Sequence, residues 1–259
     1  MPTTLKEAQA QSLRLATHVR ACRLDDQVIL LDLRAGRYLG IGGRASSALA
    51  ACVDDWPVPT SLGIPSPLTR ADDPACEHLA RQLLLKGLLT DRDGASSDKR
   101  SASMTSVASL MLDEATASLD LGDIAARTRF RAQQLARFLS CAAKTAWWLR
   151  CRSLQSIAVT LTRRRERSIA EAGTVDLARM KQCAVTYERL RPLLLTARDK
   201  CLFDSLALTN FLAAEQLFPR WVIGVKTSPF GAHAWVQAGT TVLNDQHEYV
   251  RRFRPILVA

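Results

Sequence analysis

Three residue types able to cooperate in nucleophilic catalysis stand near the end of the chain in the order cysteine, histidine, aspartate: Cys201, His233 and Asp245. Cys201 opens the run Cys-Leu-Phe-Asp-Ser-Leu-Ala-Leu-Thr-Asn-Phe-Leu, whose apolar residues fall on nearly every face of a helix, the pattern of a centrally buried one. Asp199 just before it is a candidate N-cap. That cap would put Cys201 in the first turn, where unpaired N–H groups and the helix dipole favour a thiolate over a thiol. A histidine whose tautomer is fixed by a carboxylate can take the thiol proton and return it to a leaving amine. The chemistry would be attack of sulfur on a carbonyl carbon, with the Cys201 backbone N–H as a candidate oxyanion donor. His247 is a rival base lying beyond the segment that carries His233.

Residues 221–226, 233–237 and 240–243 read as strands, the last two as a hairpin. Alternation puts His233, Trp235 and Gln237 on one face, with Ala234 and Val236 on the other. A three-residue loop over 238–240 sets His233 opposite Asp245, whereas a two-residue loop sets it opposite Asn244; the His–Asp contact therefore predicts a three-residue loop or a bulge. Upstream, 124–151 and 176–196 carry helical spacing, with Leu135, Phe138, Leu139 and Ala142 as one apolar stripe and Trp147 and Trp148 as packing residues. The arginine cluster Arg163, Arg164, Arg165 and Arg167 reads as a solvated helix end or loop.

The first third has a different texture. Residues 18–23, 27–32 and 37–41 read as a three-stranded meander turning at Asp25-Asp26 and at Arg34-Ala35-Gly36. Helical patterns follow at 44–53 and 74–89, the second with Leu79, Leu83, Leu84 and Leu88, and Pro57, Pro59, Pro65 and Pro67 interrupt the chain between them. Residues 91–106 turn to Asp, Ser, Lys, Arg and Gly, a composition too polar for a fixed core. The expected organisation is α+β: a small winged-helix-like domain over 1–90, a linker over 91–106, and a helices-plus-antiparallel-sheet domain over 107–259.

Composition narrows the classes further. The 259 residues carry a formal charge of +10, which suits an acidic partner or a nucleic acid and decides nothing alone. Seven cysteines with no Cys-x-x-Cys pair argue against a disulfide framework and a zinc ribbon. Neither a secretory h-region nor an apolar run of about 20 residues is present, so no membrane is expected and the location is expected to be cytoplasmic. A non-enzymatic nucleic-acid-binding winged helix would gather cations on one recognition helix, and 76–88 offers only Arg81 and Lys86.

Four segments carry a family resemblance: Cys-Leu-x-x-Ser-Leu-Ala-Leu from Cys201 to Leu208, Val-Ile-Gly-Val from Val222 to Val225, Pro-Phe-x-Ala-His-Ala-Trp-Val from Pro229 to Val236, and Val-Leu-Asn-Asp from Val242 to Asp245. Together they resemble the B protein of lasso-peptide biosynthesis, a branch of the papain-like and transglutaminase-like cysteine enzymes. That resemblance implies Cys201, His233 and Asp245 as a catalytic triad, a leader peptidase acting on a ribosomally made precursor, no metal or cofactor, and an ATP-dependent asparagine-synthetase-like cyclase as partner. Gln237 departs from the family, which usually has an acidic residue there, and this puts substrate contacts in question. The first domain is similar to the precursor-recognition element of peptide-modifying enzymes. Such an element takes the leader as an added strand, here implying Arg37, Tyr38, Leu39 and Ile41 on the edge strand and Leu79 and Leu83 on the helix. Rival readings are an acyltransferase or transglutaminase using the same triad, or a non-enzymatic peptide- or nucleic-acid-binding protein.

Overall fold

A computed structural model describes residues 13–57, 74–91, 112–119, 131–172, 176–194 and 200–259. Asp199, the polar segment 92–106, the prolines at 59, 65 and 67, and the helical expectation over 124–130 lie outside them. The chain divides into two compact units, Met1–Ala108 and Ser109–Ala259.

In the first unit, β1 (Leu13–Leu15) precedes a meander of β2 (Val19–Leu24), β3 (Gln27–Asp32) and β4 (Arg37–Ile41), followed by α1 (Gly43–Leu49), α2 (Pro74–Leu85) and β5 (Leu89–Asp91). Asp25 turns the first hairpin at φ 49°, a left-handed conformation that aspartate tolerates. At the second, Asp32 Oδ1 accepts from the N–H groups of Arg34 (2.8 Å) and Ala35 (3.0 Å), and Gly36 completes the turn at φ 64°. Strands β2, β3 and β4 form one sheet in that order, leaving β4 at an edge. Strands β1 and β5, not expected from the sequence, pair with each other; three residues apiece are too few for alternation to register. Val19, Val28, Leu30, Ile41, Leu49, Trp56, Leu83 and Leu88 close the core, and the Trp56 indole N–H donates to Ser46 Oγ at 3.1 Å.

The second unit contains β6 (Ala117–Ser118), α3 (Ala132–Cys151), α4 (Leu154–Ala172), α5 (Leu177–Leu190) with a 3-10 turn over Arg191–Leu193, then α6 (Cys201–Ala213), β7 (Arg220–Lys226), β8 (Gly231–Ala238), β9 (Thr241–Val242), α7 (His247–Val250) and β10 (Arg254–Val258). Its sheet runs β10-β7-β8-β9-β6, antiparallel except for the β6–β9 pair. Helix α6 packs against α3, α5, β7 and β8, and everything from Asp204 to Leu212 is buried. Most of its buried polar groups find partners: Ser205 Oγ accepts from the Trp221 indole N–H (2.9 Å), and Asn210 Nδ2 donates to Thr145 Oγ1 (3.0 Å), although Asn210 Oδ1 has none among the described residues. Such partners offset most of the cost of burying polar groups on every side of a helix.

Three expectations need correction here. Arg163 to Arg167 lie within α4, not at a helix end; Ile157, Ala158 and Leu161 anchor that helix to the core and carry the arginines with it. The buried stripe of α3 is Phe138, Cys141, Ala142, Thr145 and Trp148, while Leu135 and Leu139 stay exposed, because a turn of about 100° per residue moves them off the core face. For the same reason adjacent tryptophans part company: Trp148 is 3% exposed and Trp147 58%.

Candidate active site

Cys201 is the first residue of α6, and the preceding Lys200 provides no side-chain cap, so N–H groups of the opening turn are left to other partners. The thiol is hydrogen-bonded to the His233 side chain, and the backbone N–H groups of Ala234 and Leu202 are directed at the sulfur. His233, on β8, meets Asp245 through Nε2···Oδ2 at 2.7 Å. With Nε2 engaged by the carboxylate, the ring nitrogen left for sulfur is Nδ1. The three residues singled out in the sequence thus form one chain of contacts.

Burial pushes the Cys201 thiol up, but hydrogen bonds from His233, Ala234 and Leu202 outweigh it, and the net direction is below the ordinary cysteine value. Burial pulls His233 the other way, yet its bonds to Asp245 and Cys201 prevail and raise it from 6.5 to about 9. Burial raises Asp245, and the opposing bonds from His233 and from the Gln246 N–H bring it below the ordinary carboxylate value. The Cys201 and His233 shifts both run toward a thiolate beside an imidazolium. Three rings frame that imidazole: Trp235 stacked at 6.2 Å, Tyr249 edge-on at 5.1 Å and Phe253 tilted at 5.2 Å. Aromatic faces tolerate a cation where aliphatic walls would not.

The route by which Asp245 arrives differs from expectation. The hairpin turns through two residues, Gly239 at φ 56° and Thr240, pairing Ala238 with Thr241 and Gln237 with Val242. The three-residue loop over 238–240 is not formed. Continued regularly, the observed register would place Gln246 opposite His233. Instead only half of the next rung forms: the Leu243 N–H donates to the Val236 carbonyl at 2.9 Å, but the Val236 N–H donates to the Asn244 side-chain Oδ1 at 2.8 Å, and the chain then bends to bring Asp245 to the ring. The rival base His247 is held elsewhere, its Nδ1 2.9 Å from Ser118 Oγ and 3.2 Å from Glu248.

Gln237 makes no surface for a substrate. It is 1% exposed, donates to the Asp113 carbonyl (2.7 Å) and the Gly239 carbonyl (2.9 Å), and accepts from the Trp235 indole N–H (3.1 Å). A neutral amide suits two carbonyl acceptors, which a carboxylate would repel.

Next to the Cys201–His233–Asp245 contacts lies a polar cluster to which periodicity assigns no role. Asp204, three residues after Cys201 and 3% exposed, accepts from the Tyr187 hydroxyl (3.0 Å) and lies 3.1 Å from Arg191 Nε; Arg191 also reaches Glu188 at 3.4 Å. Burial raises Asp204, and burial raises Glu188 to about 7. A lone carboxylate in an otherwise apolar stretch is the sequence signal for such a cluster, since it must find partners when the helix is buried.

On the first unit, Arg37 is exposed and Tyr38, Leu39 and Leu79 are half-buried. Ile41 and Leu83, expected to touch a leader, are 4% and 1% exposed within the unit's own core and so are spent on packing.

A 48-residue stretch is 42% identical to the microcin J25-processing protein McjB of Escherichia coli, spanning 18% of this chain and 23% of that relative. The aligned part is therefore about a quarter of the relative's length. No solved structure matches the chain. Residues 124–258, just over half of the sequence and including every contact of the Cys201–His233–Asp245 chain, match the transglutaminase-like superfamily, and to that superfamily the chain belongs.

Proposed function

We propose that this protein is a cysteine peptidase that removes the leader from a ribosomally made lasso-peptide precursor, with Cys201 as nucleophile, His233 as acid–base and Asp245 as the group that orients it. The observation that carries the reading is the unbroken contact from sulfur to imidazole to carboxylate at the start of a buried helix. The Cys201 thiolate attacks the carbonyl carbon at the leader–core junction. The developing oxyanion is met by an N–H of the opening turn of α6, the Cys201 N–H being the candidate. As the C–N bond breaks, the imidazolium gives its proton to the departing amine, which becomes the core's new N-terminus. Water, deprotonated by the now neutral His233, then cleaves the thioester and frees the leader with a carboxyl end.

The likeness to a microcin-processing protein supports the choice of substrate class. The first unit is the winged-helix-like recognition module of this reading. It takes the leader as a strand on the open edge at β4, with Arg37, Tyr38, Leu39 and, on α2, Leu79 in contact. The product amine is then closed into a macrolactam by an ATP-dependent asparagine-synthetase-like partner, in the cytoplasm. The test is mass spectrometry of the precursor incubated with the protein: an intact leader ending in a free carboxyl is expected, and no cleavage with Cys201→Ala. A leader joined to an amine would assign acyl transfer from the same thioester, and undiminished cleavage by Cys201→Ala would defeat the mechanism.

A further inference from the structure

The three groups of the proposed triad come from separate elements: α6 carries Cys201, β8 carries His233, and the bend after β9 carries Asp245. One side chain joins all three. Asn244 Oδ1 accepts the Val236 N–H of β8 at 2.8 Å, which fixes the orientation of its carboxamide and turns Nδ2 toward Asp204 Oδ2 of α6 at 3.5 Å, while its backbone leads directly into Asp245. Asp204 sits one turn beyond Cys201 on the same face of α6 and is itself pinned by Tyr187 and Arg191. We infer that Asn244 is a positioning residue for catalysis, a carboxamide clasp that replaces the backbone acceptor of the Val236 N–H and, through Asp204, sets the distance between the cysteine helix and the carboxylate under His233. The inference rests on the proposed roles of Cys201, His233 and Asp245.

Without the clasp, the chain after Val242 has no partner for the Val236 N–H and no tie to α6, and the regular register would bring Gln246 rather than Asp245 opposite His233. Asp245 would then drift from Nε2. The loss would fall on turnover, since misplacing a catalytic group by about 1 Å costs about a hundredfold. Substrate binding would be little changed, because the Asn244 carboxamide is bonded within the protein, to Val236 and Asp204.

Exchanging the partners tests this. Asn244→Asp preserves shape and the acceptor for Val236 but sets a carboxylate against Asp204; Asn244→Ala removes the clasp without repulsion. In the double variant Asp204→Asn/Asn244→Asp the donor and acceptor trade places, and the cluster keeps its charge. On a precursor substrate, both single variants are expected to lower kcat by about 10- to 100-fold with KM within about twofold. Each should also move the alkaline limb of kcat/KM below that of the wild type, as Asp245 releases His233. The groups facing that imidazole are Cys201 from α6, Asp245 and the Tyr249 ring; Asp245 also feels Arg191 and Glu188 from the end of α5, so each variant is compared with the wild type in the same buffers. The double variant should regain at least tenfold in kcat and the wild-type limb. If the single variants only lower the melting temperature and leave kcat and the limb in place, while Cys201→Ala is inactive, the clasp is structural and the inference falls with the triad intact. An active Cys201→Ala would instead sink the triad reading beneath it.

Discussion

A thiol in contact with an imidazole shares one proton with it, and the carboxylate behind decides where that proton rests. With Cys201 held below its ordinary value and His233 raised to about 9, both shifts run in the direction that favours the thiolate–imidazolium pair. The pH dependence of kcat/KM on a precursor substrate is therefore expected to be bell-shaped, with its alkaline limb near 9. Asp245→Asn should lower that limb and cut kcat/KM on the order of 10²- to 10⁴-fold, as removal of orienting carboxylates does in other triads. A limb that does not move in the variant would separate Asp245 from His233. Folding carries the same signature. The raised His233 contributes stability that is complete below 6.5 and lost as pH rises through about 9; the lowered Asp245 contributes stability complete above 3.8 and lost as pH falls below it. The melting difference between wild type and Asp245→Asn should thus be widest between those ordinary values. These three residues were legible in the sequence because thiol, imidazole and carboxylate are scarce types with separate local signals: a helix start, a strand and a turn. Asn244 and Asp204 were not legible as a pair, since their contact exists only once helix and sheet have met.

The sheet supplies the precision that single residues cannot. Gly224 on β7 pairs with His233 on β8, and a Cβ there would lie 2.7 Å from Trp235 Cζ3 and 2.9 Å from Phe253 Cβ. Both rings flank the imidazole, so the glycine is the floor on which the base and its aromatic frame rest. Gly224→Ala must displace Trp235 or Phe253, at a cost of about 1–3 kcal/mol for overpacking a dense core. A lower melting temperature together with reduced kcat and slower alkylation of Cys201 is expected; an alanine variant as active and as stable as wild type would mean the rings have room that the distances deny. Alternation and turn residues made β3, β4, β7 and the β8–β9 hairpin readable from the sequence, whereas the pairing of β7 with β8 was not read from it. They could not show that β9 stops after two residues, because a side chain substituting for a ladder partner leaves no periodic trace. Nor could they show the short strands β1, β5 and β6, whose pairing is decided by distant chain rather than by their own pattern.

Gripping and cutting, in the proposed function, are done by different units of one chain, Met1–Ala108 and Ser109–Ala259. A precursor held at β4 presents its cleavage site at an effective concentration set by the intervening chain, and such tethering is worth about 10²- to 10⁴-fold without any new contact at the sulfur. Weakening the grip should then raise KM and leave kcat alone. Tyr38, half-buried on the edge strand beside exposed Arg37, is the residue to remove. Tyr38→Ala is expected to raise KM for the full precursor by about tenfold, the equivalent of about 1.4 kcal/mol, at unchanged kcat. The decisive comparison uses a precursor shortened to the residues flanking the cleaved bond, which has nothing for β4 to hold. On it wild type and Tyr38→Ala should be equally slow, and excess free leader should inhibit cleavage of the full precursor but not of the short one. Equal inhibition of both substrates would mean that the leader binds at the cysteine site itself and that the first unit serves some other partner.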